Sequence, residues 1–447
     1  MNKFKAFNFR SSRLVALIMI SGLLFLQGCS HYSAKNAGVR DSLKTGRPDV
    51  ALREFEQQSH DSSDKVLTHL HKGMLNRMTG AYSKSNKDFE VAKNEMADLY
   101  TTSITKAVGS AVVNDTVRDY SGDRYEQVLL HSYMALNYIA MGQIDSARVE
   151  MLQADVKMRE WGETPLEDPF VRYLSGIIFE TLGEYDQAIV SYRKAVKVYK
   201  STISNHGLPV PNQLKKDLLR MLAKEGLRNE LRQFESEFGM KYDGSAEKDK
   251  GFVIAILDNG LGPVKSQHTI RTWAPAISQR LKIALPTYTG RAPKTRRARL
   301  AINDQTYGFD TVENIDGMAR KALEAEMPAI TLRAVARMVV KHKAAKEAEK
   351  RGGQYGGLLG LAFKIGGLVS EIADTRNWSS LPQEIQLVRI PVEPGKYNAR
   401  IEMLGRLGGV VDSMDHSVSV KKNRLTFISD HWVAPRPKNL KQAQTTK

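Results

Sequence analysis

The sequence predicts an α+β protein: an N-terminal helical solenoid followed by an α+β domain with antiparallel strands. Three observations predict it. Turn glycines recur from Gly46 to Gly226, each between stretches with apolar residues at helical spacing. Past a polar stretch at 241–250, short apolar runs bounded by turn residues replace that pattern. The 447 residues are 42% hydrophobic and 26% charged, near the soluble globular average, which excludes a disordered, fibrous or polytopic membrane protein.

The chain opens with Lys3, Lys5, Arg10 and Arg13, then an apolar stretch over 14–26. That stretch is too short for a mature membrane span and suits the apolar region of a signal peptide. Leu26, Gln27, Gly28 and Cys29 close it in the arrangement of a bacterial lipobox. By that resemblance residues 1–28 are the signal peptide and Cys29 is the lipidation site. Its sulfur takes a diacylglyceryl group, the chain is cut before it, and its amine is acylated, with palmitate as the typical chain. Each buried CH₂ contributes about 0.8 kcal/mol, so three chains attach the protein permanently. Ser30 in place of Asp directs the protein, by resemblance to enterobacterial lipoproteins, to the outer membrane. Cys29 is the one cysteine, so neither an intrachain disulfide nor a cysteine metal cluster is expected. The net charge is +17, and removing 1–28 takes four positive and no negative charges, leaving +13. Such a surface seeks anions.

The clearest helical unit spans about 169–202, with Gly176, Phe179, Leu182, Gly183, Tyr185, Ala188, Tyr192 and Ala195. Those spacings match the tetratricopeptide pattern of small, aromatic, Gly, Tyr, Ala, aromatic and Ala positions. Ala135, Tyr138, Gly142, Ile144, Ala147, Met151 and Ala154 form a second copy. Gly73, Gly80, Tyr82, Phe89 and Ala92 form a third, with Ser85 where Ala is usual. Gly46, Ala51 and Phe55 show half of a fourth, and Gly226 turns one further pair over 215–224 and 228–238. Gly46 and Gly80 are 34 apart, the expected period. The longer step to Gly142 marks an insertion at 101–123, either a packed helix or a mobile flap, and the step to Gly183 marks another near 162–165. Residues 29–240 are therefore expected to stack into a curved solenoid whose concave groove holds a partner's peptide or helix.

Residues 251–435 form the second expected domain, and 436–447 a polar tail. Residues 252–257 read as a buried strand ended by Asp258, Asn259 and Gly260; 282–288 and 299–303 read as strands. A helix is expected from 315 to about 350, kinked or broken at Pro328. The glycine-rich stretch 352–372 is either a tightly packed helix or a contact for membrane or partner. Two hairpins are expected: 384–392 with 398–403 around Pro394 and Gly395, and 417–420 with 424–428. The change of pattern near 241–250 suggests that the halves fold separately.

Catalytic chemistry is not apparent. The sequence has no His-Glu-x-x-His and no Gly-x-Ser-x-Gly, and His69 and His71 are expected on the surface. Asp374, Arg376 and Trp378 form the densest polar and aromatic cluster. They would bind a sugar or a peptide carboxylate, or Asp374 would pair with Arg376 to fix a loop under Trp378. Arg291, Lys294, Arg296, Arg297 and Arg299 lie in a run without acids. Export removes nucleic acid as its partner, leaving lipid phosphates, lipopolysaccharide, wall polymers, or simple solvation. No cofactor or metal is expected.

The lipobox, the divergent array with Tyr138, Gly142 and Ala147, and the run Asp374, Thr375, Arg376, Asn377, Trp378 with Leu381 and Pro382 resemble a family of proteobacterial tetratricopeptide-repeat outer-membrane lipoproteins. The resemblance implies an architecture and an anchor, and it brings no activity. The expected function is a non-enzymatic, lipid-anchored periplasmic scaffold. It would hold an envelope protein in its helical groove during envelope or surface-structure assembly. The alternative is a peptidoglycan- or glycan-binding lipoprotein using the C-terminal domain. A hydrolase ranks third, since no nucleophile and base pair stands out.

Overall fold

The computed structural model describes residues 32–105, 118–161, 167–274, 279–289, 297–351 and 372–437. After a short helix α1 (Tyr32–Lys35), helical hairpins follow in order. They are α2 (Ala37–Lys44) with α3 (Pro48–Glu56), α4 (Lys65–Met78) with α5 (Tyr82–Thr105), and α6 (Arg124–Ala140) with α7 (Ile144–Glu160). Then come α8 (Pro169–Leu182) with α9 (Tyr185–His206), and α10 (Asn212–Lys224) with α11 (Arg228–Phe238).

Each hairpin turns at an expected glycine: Gly46, Gly80, Gly142, Gly183 and Gly226 all have φ between +70° and +82°. A β-carbon is strained there, which is why glycine occupies the turn. At Gly183 the amide donates to the Glu180 carbonyl, and the next amide, Glu184, reaches back to Phe179. That double bond satisfies carbonyls the helix end leaves open. At its other end α8 is capped by Asp168, which accepts from the Val171 amide at 3.0 Å, with Pro169 at the first position.

Within hairpins, size is matched across the pair. A β-carbon on Gly176 would collide with the Tyr192 ring, and one on Gly73 with the Phe89 ring. Where the first helix carries Ala135 instead, the equivalent position of the second carries Met151, and both are buried. Ala147, Ala188 and Ala195 are fully buried where paired helices touch. Ser85 departs from the repeat for a visible reason: its hydroxyl accepts from Asn137 Nδ2 at 2.8 Å.

The second half contains β1 (Gly251–Asn259), β2 (Val264–Ala274), β3 (Gln279–Thr289), β4 (Arg297–Ile302), β5 (Gln305–Gly308) and β6 (Asp310–Asn314). Helix α12 (Ile315–Arg351) follows, then β7 (Glu384–Val392), β8 (Gly395–Leu404), β9 (Val410–Val420) and β10 (Leu425–Trp432). One sheet has the order β10-β1-β7-β6, a second β5-β4-β8-β9, and β2 with β3 forms a two-stranded ribbon. Strand β1 runs parallel to β10 and antiparallel to β7. The two four-stranded sheets pack face to face. Val253, Ala255, Leu257, Val388 and Ile390 of the first meet Leu300, Ile401, Met403 and Val418 of the second.

Neither expected hairpin forms. β7 pairs with β1 and β6 while β8 pairs with β4 and β9, so the chain changes sheet at Glu393 and Pro394. β9 and β10 likewise belong to different sheets. Proline has no amide to continue a ladder, which suits a corner between sheets. Pro328 does not break α12, which runs unbroken through it. The glycine-rich stretch lies outside the described residues up to Ile372, as do 106–117 of the first insertion and the segment 162–166.

The first sheet is buried on both faces, which explains the continuous apolar run of β1. Its second face, with Ile254, Ile256, Ile385 and Leu387, joins one core with Tyr133, Phe170 and Ile177 of the helices. The separate folding expected from the sequence has no dividing surface here, because helices and sheet share that core.

Candidate functional site

The first helices of the hairpins, α4, α6, α8 and α10, present the face that a free solenoid would leave as a groove. Here the first sheet lies on it. Arg77 of α4 donates to Ser429 of β10 at 2.6 Å. The Tyr133 hydroxyl of α6 donates to Asp258 of β1 at 3.2 Å. Arg389 of β7 forks onto Glu180 of α8 at 2.6 and 2.8 Å. The Gln213 amide of α10 donates to Asp310 of β6 at 2.7 Å. Residues Pro169 to Glu180 of α8 are all buried. The groove expected to receive a partner is therefore filled by the chain's own second half.

Trp378 completes the filling. It is 0% exposed, edge-on to Phe89 and Tyr133 at 5.6 and 5.9 Å, and its backbone amide donates to Glu126 at 2.8 Å. Burial, and then the negative charge of Asp123, push the Glu126 carboxyl up to about 7. Arg376 forks onto Asp374, reaches Asp64 at 3.1 Å and the Arg118 carbonyl at 2.9 Å, and lies over the Tyr120 ring. The cluster therefore ties the end of the insertion to α4 and the sheet. Of the two readings open in the sequence, the pairing of Asp374 with Arg376 is present, and Trp378 itself is buried out of a ligand's reach.

The other basic and histidine expectations resolve as follows. Arg291 and Arg296 lie outside the described residues, as does Cys29. Arg297 is exposed on β4, and Arg299 takes the acid the sequence run lacks, Glu402 across the strands at 2.6 Å. His71 is buried, not on the surface; its Nδ1 lies 2.8 Å from Ser380, and burial pushes it down to about 3. His69 is partly exposed and pairs with Asp88.

At the far end of the filled groove, the sequence reading missed a buried charge cluster. Glu180 accepts from Arg389, from Arg220 at 2.9 Å and from the Tyr192 hydroxyl at 2.7 Å. Asp217 accepts from the Tyr173 hydroxyl at 2.7 Å and from Arg220 at 3.0 Å. The Phe252 ring lies against both guanidiniums, at 4.3 and 4.9 Å. Burial alone would raise the Glu180 carboxyl, but Arg220 and Arg389 outweigh it and hold it at about 2. One signal was available: Ile385, Leu387 and Arg389 share a strand face, and a charge on an apolar face demands a buried partner.

This cluster forms the floor of a cavity of about 620 Å³ between α8, α10, the segment after α11 and the β9 to β10 turn. That volume suits a small ligand or a short peptide segment. Gly183 and Tyr185, expected only as repeat residues, line its wall. Among the described residues, no group of three or more His, Cys, Asp or Glu side chains could hold a metal ion.

No family model matches the chain, and no curated protein sequence matches it. Among solved structures it is similar to MamA from AMB-1, at 17% identity over 46% of this chain and 88% of that one, with a TM-score of 0.29. It is also similar to MamA from Desulfovibrio magneticus RS-1, at 14% identity over 46% and 91%, TM-score 0.30. A putative kinesin light chain of nearly identical TPR-like repeats from Podospora anserina gives 12% identity over 46% and 91%, TM-score 0.31. At these TM-scores the likeness is loose, and the architecture stands on the hairpins themselves.

Proposed function

We propose that the protein is a lipid-anchored, non-catalytic scaffold on the periplasmic side of the outer membrane. Its protein partner docks on the outer face of the helical array, because the groove is filled. One observation carries this reading. Val149, Leu152 and Val156 are 40–49% exposed and stand at i, i+3 and i+7 along α7, with Val91 of α5 and Val190 of α9 also exposed. Ion pairs of Lys93 with Glu150 and of Lys194 with Asp155 hold these three helices side by side. An exposed apolar strip of this kind marks an interaction surface.

The surroundings favour protein over lipid. Asp145, the pair of Arg148 with Glu184, and Arg159 beside Glu160 give the strip a rim of both signs. A membrane-seeking face would be rimmed by Lys and Arg. The occupant that fits is an amphipathic helix of a partner, laying its apolar side along α7. The glycan-binding alternative drew on the cluster at Trp378 and on the basic run at 291–299; the burial of the Trp378 ring weakens the first of these, and Arg291 and Arg296 lie outside the described residues. The anchor rests on the lipobox at Cys29.

Leu152→Glu should abolish capture of the partner from crosslinked membranes while leaving the melting temperature unchanged. Full capture by that variant would refute the outer-face reading. Cys29→Ser should stop palmitate labelling, and continued labelling would refute the anchor.

A further inference from the structure

The cavity at the end of the filled groove shows an imbalance of charge that the folded chain does not resolve. Every carboxylate lining it is engaged. Glu180 is held by Arg389, Arg220 and Tyr192. Glu247 accepts from the Tyr242 hydroxyl at 2.9 Å, and Asp249 pairs with Lys422 at 2.8 Å. The lining cations Lys224, Lys248 and Arg424 are exposed, and none faces a carboxylate within ion-pair distance among the described residues. Lys224 lies over the Tyr185 ring at 3.7 Å, a contact that holds the ammonium without neutralising it. In the floor, Nε and Nη1 of the buried Arg220 have no hydrogen-bond partner. Buried donors left unmet cost free energy, and with three exposed cations above them they favour an anion in the cavity.

The walls select the kind of anion. Leu182, Met221, Phe252 and Leu425 give apolar surface between the charges. Gly183 and Gly244 leave room where the backbone borders the space. A bare phosphate would leave that apolar surface unused. A segment carrying both carboxylates and apolar side chains uses all of it.

We infer that this cavity binds an acidic peptide segment, whose carboxylates meet Lys224, Lys248 and Arg424 while its apolar side chains lie against Leu182, Phe252 and Leu425. The site is separate from the outer strip on α7, so neither depends on the other. The helices and the sheet both border it, so the ligand would bridge the two halves of the molecule.

The test is fluorescence anisotropy with a fluorescein-labelled peptide of alternating Glu and Leu, beside a peptide of alternating Gln and Leu. Inorganic pyrophosphate serves as competitor. The Glu peptide should bind roughly tenfold or more tightly than the Gln peptide. Lys224→Glu with Arg424→Glu, both at exposed positions, should weaken it by a similar factor without lowering the melting temperature. Leu152→Glu should leave binding unchanged, which separates this result from failure of the outer-face reading. Equal binding of the two peptides, or undiminished binding to the double variant, would overturn the inference. Displacement by micromolar pyrophosphate would also overturn it, by assigning the site to phosphate.

Discussion

Arg389 and Glu180 are 209 positions apart in sequence and meet in a forked ion pair at 2.6 and 2.8 Å, both side chains buried. The pair joins the central β7 to the first helix of the clearest repeat. Removing one partner of such a pair leaves a buried charge and costs about 3–5 kcal/mol. Arg389→Met should therefore lower urea stability by about that much. Glu180→Gln in the same chain should restore part of it, because Glu180 and Asp217 would otherwise be left with Arg220 as their one shared guanidinium. Full stability of the single variant would mean that the pair holds nothing together.

A shared core predicts a shared transition. Ile254, Leu387 and Trp378 pack in the same cluster as Tyr133 and Ile177. Calorimetry on the chain from Ser30 onward should show one cooperative unfolding event. Two resolved events, with a protease cut at 241–250 leaving stable fragments, would restore the picture of separate halves.

The pH profile should carry the mark of Asp168 and Glu313. Burial, above all, raises the Asp168 carboxyl to about 6; burial and the neighbouring Asp168 raise Glu313 further. A raised folded pKa means the native state binds more protons than the unfolded one. The stability this contributes is complete below about pH 4 and is lost as pH rises through 6 and beyond. Glu126, raised to about 7, acts in the same direction. Glu180 acts oppositely: held at about 2, it contributes above its unfolded value and is lost only in strong acid. Buried His71, pushed down to about 3, gains stability over the same rise in pH and opposes the two carboxyls, so the check is a comparison: from pH 5 to pH 8, Glu313→Gln should lose less melting temperature, or gain more, than the unchanged chain. An equal slope in the variant would remove the pair from the explanation.

Size matching within the hairpins is testable by exchange. Gly73→Ala drives a methyl into the Phe89 ring and should cost about 1–3 kcal/mol. Adding Phe89→Met reproduces the pairing of Ala135 with Met151 in the next hairpin and should recover part of the loss. Additive losses in the double variant would show that the two hairpins are not equivalent.

Much of the helical half was legible because its signals are local. A left-handed turn needs glycine, and the five turn glycines announce their hairpins directly. The sheet was less legible because strand pairing is not local. An apolar strand before Pro394 and another after Gly395 look the same whether they form a hairpin or turn a corner. The deciding partner of β7 is β1, about 130 residues earlier. The filled groove was the largest omission, although α8 hinted at it. Phe170, Val171, Tyr173, Leu174, Ile177, Ile178 and Phe179 surround that helix with apolar side chains. A helix apolar on all sides is covered on all sides. At the candidate sites, the cluster at Trp378 stayed open between a ligand site and a fixed loop because sequence shows the residue's type and its neighbours but not its burial.

The chain's own second half occupies the groove, and the proposed docking of a partner on the outer helices rests on that occupation. A photo-crosslinking residue placed at position 152 in intact cells tests it most directly, with one at the exposed position 396 on the second sheet as control. Position 152 should give a heavier adduct and position 396 none. An adduct from 396 without one from 152 would contradict the proposed docking.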